Sequence, residues 1–269
     1  MIEIFKLYNG KVELLFDEQY HHYTINGKSV YGVTSIVGET DSKPWLAPWM
    51  VNMGAEWAVK KLKDNLGKLI DEILMIDMER GIKGASKVFS QKAADIGTLV
   101  HSWIEDYIKL KLEKQKNPKM KIAAPKMPIE ENIRSSIKQF LTWEKENKVK
   151  WLSSEIKIYS KKYEYAGTLD AEAIVNGNRS IVDFKTSNHF SETFYLQTSA
   201  YAKARTEEIG KEFKRIWICM IPKTGKNFKA IENKDLLVHF KGFKGALDLY
   251  KWRMMIKDKS YKDKQKDIK

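Results

Sequence analysis

Residues 167–186 read GTLDAEAIVNGNRSIVDFKT, two runs of strand-forming residues separated by an Asn-Gly pair at positions 176 and 177. An Asn-Gly pair between two such runs is a strong signal for a β-hairpin with a two-residue turn. Folding back at this turn brings Asp170 in the first run close to Asp183 in the second. The sequence therefore predicts a hairpin with two carboxylates near its open end.

The open end of this predicted hairpin combines acidic and basic groups. Because side chains alternate along a strand, we expect Asp183 and Lys185 on one face and Phe184 on the other. Paired carboxylates such as Asp170 and Asp183 suit a hard divalent cation, Mg²⁺ or Mn²⁺. A neighbouring lysine can orient or deprotonate a water and stabilise charge on a phosphate. An acid-x-Lys spacing alone carries little weight, since it recurs elsewhere in the chain, so the hairpin context decides.

Composition bounds the class of protein. The chain has 269 residues, of which 43% are hydrophobic and 12% aromatic, enough for a sizeable core. Lys and Arg number 48 against 35 for Asp and Glu, a net charge of +13. This excess indicates a polyanionic partner. A lysine-rich organism with a soluble cationic surface explains it as well, because lysine far outnumbers arginine.

The cysteine count and the hydropathy of the chain argue against disulfide-linked, iron–sulfur and membrane-spanning proteins. The single cysteine, Cys219, lies in an apolar run, so a disulfide framework and a multi-cysteine iron–sulfur site within one chain are both excluded. There is no apolar run of about 18 residues, so no membrane partner is expected. The N-terminus carries Glu3 and is unlike a signal peptide. We expect a cytoplasmic protein, in the host cytoplasm if it is viral, with an organellar matrix left open.

The N-terminal part reads as β-hairpins over 1–33, followed by a tryptophan-rich helical region over 44–63. Trp45, Trp49 and Trp57 are four and eight residues apart, which places them on one helix face. Such a stripe is more often core packing, and we favour that interpretation. The alternative is a surface on which nucleic-acid bases stack.

The remaining pattern alternates helices and strands. Helices are predicted over 66–79 and 85–116, with Gly81 and Gly84 between them. The lysine-rich segment 109–126 is predicted as a loop or a frayed helix end, with a nucleic-acid contact as its alternative role. The later elements are a helix at 128–148, strands at 151–159, 165–175, 180–184 and 213–221, and helices at 191–208 and 234–257. We expect three parts: hairpins and a helical extension packed on the core (1–90), the α/β core (91–257) and a disordered basic tail (258–269).

A second group of polar residues accompanies the hairpin. His101 and Glu105 lie four apart in a predicted helix and so share a face. Glu155 lies on the strand expected beside that of Asp170, where it would orient a metal-bound water or pair with a lysine. Gln197 and Tyr201 lie four apart on the helix after the hairpin, as a structural pair or as contacts to phosphate or a base.

Taken together, these motifs occur in a specific order, although each alone is weak. In chain order they are Gly97, Thr98, His101 and Glu105, then Glu155, then Gly167 and Asp170, then Asp183, Phe184, Lys185 and Thr186, then Gln197 and Tyr201. This order resembles the PD-(D/E)XK nuclease superfamily. It is most similar to the RecB-type branch, which includes the mitochondrial genome-maintenance exonuclease and many phage exonucleases. The resemblance covers most of residues 20–205.

The resemblance implies an α/β fold with a restriction-endonuclease-like core, a mixed sheet flanked by helices, carrying N-terminal β-hairpins and a helical extension. It also implies one or two Mg²⁺ or Mn²⁺ ions. The implied metal ligands are Asp170, Asp183, His101 and the carbonyl of Phe184. Lys185 would position or activate the attacking water.

The same resemblance assigns the remaining residues. Glu155 would be a further catalytic acid, and Gln197, Tyr201 and Thr186 would contact DNA and support the site. The proline that usually precedes the first aspartate is replaced by Leu169, as is common in this branch. The cysteines of the iron–sulfur nucleases are absent, so no cluster is expected.

The implied activity is that of a metal-dependent DNA exonuclease acting on single-stranded or frayed ends in recombination, repair or replication. Its partners would be DNA with free ends and recombination or replication proteins. A structure-specific endonuclease of the same fold remains an alternative, because the core motifs do not discriminate between the two. A non-catalytic DNA-binding accessory protein is a third possibility, against which the acidic hairpin argues.

Overall fold

The computed structural model describes residues 1–119, 123–222 and 227–258. The strands are β1 Ile2–Leu7, β2 Val12–Asp17, β3 His22–Ile25, β4 Lys28–Gly32, β5 Lys150–Ser160, β6 Tyr165–Val175, β7 Asn178–Lys185, β8 Arg215–Met220 and β9 Lys229–Glu232. The helices are α1 Val33–Thr40, α2 Leu46–Asp64, α3 Glu72–Lys116, α4 Glu131–Glu146, α5 Thr193–Ile209 and α6 Leu236–Lys257. The predicted tail at 258–269 lies, apart from Asp258, outside the described residues.

The chain divides into two compact units. One, here called the sheet unit, comprises Met1–Asp41 and the chain from Val100 onward, and the other, the helical unit, comprises Ser42–Leu99. The division falls inside α3. The N-terminal hairpins group with the sheet, whereas the expected boundary at residue 90 placed them with the helical extension. The reason is that β4 hydrogen-bonds to β6, a long-range pairing.

The strands of the sheet unit form one mixed sheet. Among the described strands the order is β1-β2-β3-β4-β6-β7-β8-β9, and β5 also pairs with β6. The β4–β6 and β7–β8 pairs are parallel and the others are antiparallel. With helices packed against this sheet, the predicted mixed α/β architecture is confirmed.

The first four strands form a twisted ribbon with its own small core, which we call the N-terminal ribbon (residues 1–32). The β3–β4 turn has Asn26 and Gly27 at φ values of 50° and 74°, a left-handed pair that Asn-Gly sequences favour. Leu14, Phe16 and Tyr23 are buried between the strands. The predicted N-terminal hairpins are therefore confirmed.

The β6–β7 hairpin also follows the prediction. Val175 pairs with Asn178, which leaves a two-residue loop. Asn176 and Gly177 have φ values of 48° and 79°, as a type I′ turn requires. This turn matches the natural twist of the strands, so it sets the register along the whole hairpin.

The two faces of the sheet have different aromatic and aliphatic cores. Helices α1, α5 and α6 pack on one face around residues such as Ile181 and Phe243. On the other face, Phe140 of α4 contacts Phe184, with ring centroids 5.5 Å apart. Because Ile181 and Phe184 are three residues apart on β7, they point to opposite faces. Asp183 thus lies on the face of Ile181, opposite Phe184, and its position opposite Phe184 is as predicted.

Buried Glu144 joins α3, α4 and β5 on the Phe184 side. Its carboxylate accepts hydrogen bonds from the Tyr107 hydroxyl and the Trp151 indole N–H, each at 2.6 Å. A buried carboxylate is stable only when such donors satisfy it. This bond pair therefore connects the end of α3 to the sheet.

The local structure differs from the predictions mainly around α3. The helices predicted over 66–79 and 85–116 are one helix, α3, that begins at Glu72 and runs through Gly81 and Gly84. Its end at Lys116 agrees with the predicted helix end, and the lysine-rich segment, predicted as a loop or a frayed helix end, is helical from Lys109 to Lys116. Strand β9 was not predicted, since a four-residue strand carries almost no periodic signal.

The helical unit buries little of its apolar surface. Gly54 is the buried residue of α2, whereas Trp45 is 59% exposed. The predicted core stripe is therefore wrong for Trp45. Trp57 packs on α3 at Gly81, where a Cβ would lie 2.0 Å from the indole ring. Gly81 is thus a packing site for a tryptophan rather than a helix break.

Candidate active site

A cavity of about 1080 Å³ opens beside a gap in the pairing of β6. Along one edge of β6, residues 165–166 pair with β4 and residues 171–175 pair with β7. Residues 167–170 lie between these pairings, and the β5 neighbour lies on the other side. The gap exposes the edge of β6 at the position of the predicted carboxylates.

The structure brings the predicted site residues together. Eight of them line this cavity: His101, Glu155, Asp170, Phe184, Lys185, Thr186, Gln197 and Tyr201. The ninth, Asp183, is fully buried and pairs with the cavity-lining Lys185. The residues come from α3, β5, β6, β7 and α5, so their proximity depends on the whole sheet unit.

Asp170 and Asp183 lie at facing positions of the hairpin. The register pairs Ala171 with Val182, and one further step places Asp170 opposite Asp183. The Asp170 Oδ2 atom accepts a hydrogen bond from the backbone N–H of Phe184 at 2.7 Å. The hairpin geometry therefore holds the first carboxylate against the strand that carries the second.

Lys185 is the cation of this group. Its Nζ lies 2.7 Å from Asp183 Oδ2, the distance of a close ammonium–carboxylate ion pair. The same Nζ lies 5.3 Å from the ring centroid of Phe194 at the start of α5. Lys185 thus links the buried carboxylate to the cavity.

Burial dominates the ionisation of both aspartates. It raises the pKa of Asp183 to about 6, and Asp170 adds to this rise while Lys185 opposes it. Burial also raises the pKa of Asp170, against the opposing effects of Lys185 and the Phe184 N–H. Both carboxylates therefore hold protons more strongly than usual, which is common where a ligand or substrate completes a site.

Glu155 is a third carboxylate with an unusual environment. It lies on β5 opposite Asp170, with a left-handed φ of 52° that costs a non-glycine residue about 1–3 kcal/mol. Burial, followed by Asp170 and Glu105, raises the pKa of Glu155 to about 7. Glu155 therefore exchanges a proton near neutral pH.

Helix α5 closes the other wall. The Gln197 Nε2 donates a hydrogen bond to the Tyr201 hydroxyl at 2.8 Å. Tyr201 packs against Gly167, where a Cβ would lie 2.9 Å from its ring. The glycine at this position lets the Tyr201 side chain approach the β6 edge.

Other lining residues were not among the predicted site residues. Glu105 lies one turn from His101 on α3 and forms an ion pair with Lys109. The four-residue spacing of Glu105 from His101 was the available signal. The N-terminal ribbon contributes Tyr23, whose hydroxyl is 3.0 Å from the Thr168 hydroxyl on β6. Nothing local in the sequence indicates that contact, because it joins residues 145 positions apart.

The carboxylate and imidazole groups around the cavity are of the types that bind divalent metal ions. Among the described residues, no three His, Cys, Asp or Glu side chains form a ready-made metal cluster. Asp183 nevertheless fits a cation, because its carboxylate is fully buried and already holds one. The Lys185 ammonium, 2.7 Å from Oδ2, offsets the buried charge in the position that a metal ion would take. Asp170 and His101 supply further donors of suitable type at the same cavity.

Comparisons with known proteins add little. No protein-family model matches the sequence, and no curated protein matches it. The solved structure of SSO0001 is similar at 13% identity and a TM-score of 0.30, over 72% of this chain and 85% of that chain. A protein of Eubacterium rectale named "Putative exonuclease" is similar at 14% identity and a TM-score of 0.38, over 74% and 79%. Because both TM-scores are below 0.5, we infer nothing about activity from them.

Within the described ranges, no helix is both long and apolar enough to span a bilayer.

Proposed function

We propose that this protein is a metal-dependent deoxyribonuclease with a PD-(D/E)XK core that degrades DNA from single-stranded or frayed ends. The observation that carries the proposal is buried Asp183, paired with Lys185 and facing Asp170 at a cavity wall. A fully buried carboxylate with a raised pKa and a lysine partner at a cavity wall is typical of a functional site, although structural ion pairs also occur.

The metal would be one or two Mg²⁺ or Mn²⁺ ions. Asp170 and Asp183 would hold them, with His101 and the Phe184 carbonyl as further ligands, after Lys185 has moved away from Asp183. When bound, such an ion lowers the pKa of a water and polarises a phosphate oxygen. Carboxylates with raised pKa values, ready to exchange a proton for another cation, support this assignment.

The protein's own residues provide the remaining functions. Lys185 Nζ would donate to a phosphate oxygen and offset the negative charge that develops there. Glu155, with its pKa near 7, can hold a proton and release it at the pH of the reaction. Gln197 and Tyr201, joined by their hydrogen bond, would contact the substrate strand together with Thr186.

Charge supports DNA as the substrate. The net charge of +13 favours a polyanionic substrate. Contacts between basic side chains and phosphates hold nucleic acid without reading its sequence. Binding is then expected to weaken steeply as salt increases. Recombination or replication proteins are natural partners for such an activity.

The testing experiment compares linear single-stranded, linear double-stranded and circular single-stranded DNA with Mg²⁺ or Mn²⁺. We expect loss of the linear strands, no cutting of the circle, and no cleavage by Lys185→Ala. Lys203→Ala is the matched control, because Lys203 is an exposed lysine on α5. Wild-type rates in Lys185→Ala would overturn the proposed site.

Two results of that assay would support a different function. Cleavage of the circle would make the protein an endonuclease of the same fold. Retained DNA binding without cleavage of any substrate would indicate a non-catalytic accessory role. The acidic hairpin argues against that role, because carboxylates repel phosphate unless a cation lies between them.

A further inference from the structure

The cavity continues from the acidic centre to the N-terminal ribbon, where its wall is aromatic. Phe5, Phe16 and His21 line this part of the cavity. Lys157 on β5 places its Nζ 4.5 Å from the ring centroid of Phe16 and 5.4 Å from that of Phe5. Cation–π contacts of this kind hold an ammonium group in position without using its N–H donors. The position of Lys157 is therefore set while its donors stay available.

Lys157 also differs from the other lysines of the cavity in its ion pairs. Lys109 pairs with Glu105, and Lys185 pairs with Asp183. No ion pair joins Lys157 to a carboxylate among the residues that the structure describes. Lys157 acts on Glu155 through its charge, without a direct ion pair to it. An ammonium group that is held in place and that no carboxylate contacts directly is suited to an anion that enters from outside.

The location of Lys157 fits the path of a nucleic-acid strand. Lys157 is two residues from Glu155 on β5, a separation of about 6.8 Å along a strand. Its register partner is Thr168, two residues before Asp170. Because alternate residues of a strand share a face, Lys157 follows the acidic centre along the cavity wall. That separation is comparable to one nucleotide of an extended strand.

We propose that Lys157, held over Phe5 and Phe16, forms a second subsite that binds the phosphodiester next to the one that is cleaved. This inference rests on the proposed nuclease function and names the group that positions the flanking nucleotide. Glu3 and Glu18 line the cavity on the same ribbon and would repel further phosphates. The subsite therefore accounts for one phosphate rather than an extended track.

The test measures DNA binding rather than cleavage. A fluorescein-labelled oligothymidylate is titrated with full-length Asp183→Asn protein, which serves as an uncleaving parent, over a range of salt concentrations. Lys157→Met removes the charge and keeps the side-chain length, and Lys157→Arg keeps the charge. Lys161→Met is the matched control, because Lys161 Nζ lies 4.0 Å from the ring centroid of Tyr8 and does not line the cavity.

We expect Lys157→Met to weaken binding about tenfold and to lower the slope of log affinity against log salt by about 0.7. Lys157→Arg and Lys161→Met should stay within about twofold of the parent. Melting temperatures confirm that each variant is folded. A purely structural lysine would change the melting temperature but leave the salt slope unchanged.

The outcomes separate this inference from the proposed function. If wild-type protein cleaves DNA and Lys157→Met keeps the parent's affinity and slope, the subsite is overturned and the nuclease stands. If Lys157→Arg loses as much affinity as Lys157→Met, charge is not the cause and the subsite is again overturned. If wild-type protein neither binds nor cleaves DNA, both proposals fail.

Discussion

The sheet unit and the helical unit differ in how far their large apolar side chains are buried. The sheet unit buries large residues completely, such as Trp151, Phe140 and Phe184. The helical unit leaves Trp45, Leu69 and Phe89 largely exposed. All nine predicted site residues lie in the unit that buries its apolar groups. Burial is the main cause of raised carboxylate pKa values, so the difference explains why Asp170, Asp183 and Glu155 in the sheet unit have raised pKa values.

The largest effect that tests this comparison is on catalysis. Asp183→Asn should lower the cleavage rate by a factor of about 1000 or more, because it removes the buried charge at the site. Trp45→Ala in the helical unit should change single-turnover rates less than about threefold. Single-turnover assays on linear single-stranded DNA measure both. A large loss in Trp45→Ala would show that the helical unit takes part in the reaction and would break the comparison.

The next effect is on folding. Phe140→Ala should lower the free energy of unfolding by about 3–5 kcal/mol, because it opens a cavity among Phe184, Trp143 and Trp151. Phe89→Ala should cost less than about 1 kcal/mol, since that ring is 55% exposed. Urea denaturation gives both values. Equal losses would mean that the exposure of Phe89 does not describe the protein in solution.

Two glycine-to-alanine substitutions, one in each unit, should act with opposite signs. Gly167→Ala places a Cβ 2.9 Å from the Tyr201 ring and should destabilise by about 1–3 kcal/mol. Gly84→Ala in α3 meets nothing within 4 Å and should stabilise by up to about 1 kcal/mol. Thermal melts distinguish the signs. Destabilisation by Gly84→Ala would indicate that an unseen neighbour covers this position.

The smallest effect is the dependence of stability on pH. The pKa of Glu155 is raised to about 7, so the folded state holds a proton that the unfolded state releases. The free energy of unfolding therefore increases as the pH falls from about 8 through 7. The increase from this group ends once the pH reaches the ordinary pKa range of glutamate, where the unfolded state binds the proton as well. Glu155→Gln should remove a shift of a few degrees in melting temperature between pH 8 and 6, measured without metal.

Glu79 in the helical unit is the matched control for that measurement. Its pKa is lowered by the hydrogen bond and charge of Lys83. A lowered pKa adds stability above the ordinary glutamate range and loses it as pH falls, so the sign is opposite to that of Glu155. Glu79→Gln should leave the shift in melting temperature between pH 8 and 6 as it is in the wild-type protein. If Glu79→Gln also removed this shift, Glu155 would not be its source.

Local patterns were sufficient to predict the hairpin and its carboxylates. The Asn176-Gly177 turn sets the register, and the register places Asp170 opposite Asp183. The N-terminal ribbon as a cavity wall could not be predicted, since it depends on the parallel pairing of Tyr31 with Tyr165. Parallel pairing between distant segments leaves no periodic signal in either one.

Other errors arose from packing that overrides local preference. A helical glycine costs only about 1 kcal/mol, and at Gly81 the packed Trp57 ring requires the absence of a Cβ. The exposure of Trp45 was missed because a spacing of four residues shows which side chains share a helix face but not whether anything covers that face. The metal and DNA contacts stay predictions for the same reason: spacing names the residues and not their ligands.

The ion pair of Lys185 with Asp183 has a practical consequence for handling the protein. The chain carries its own counter-ion for the buried carboxylate, so the fold does not rely on an added cation for charge balance. Protein purified in the presence of a chelator should therefore stay folded. Under the metal dependence proposed above, such protein would be inactive until Mg²⁺ or Mn²⁺ is added, which would give kinetic measurements a defined starting time.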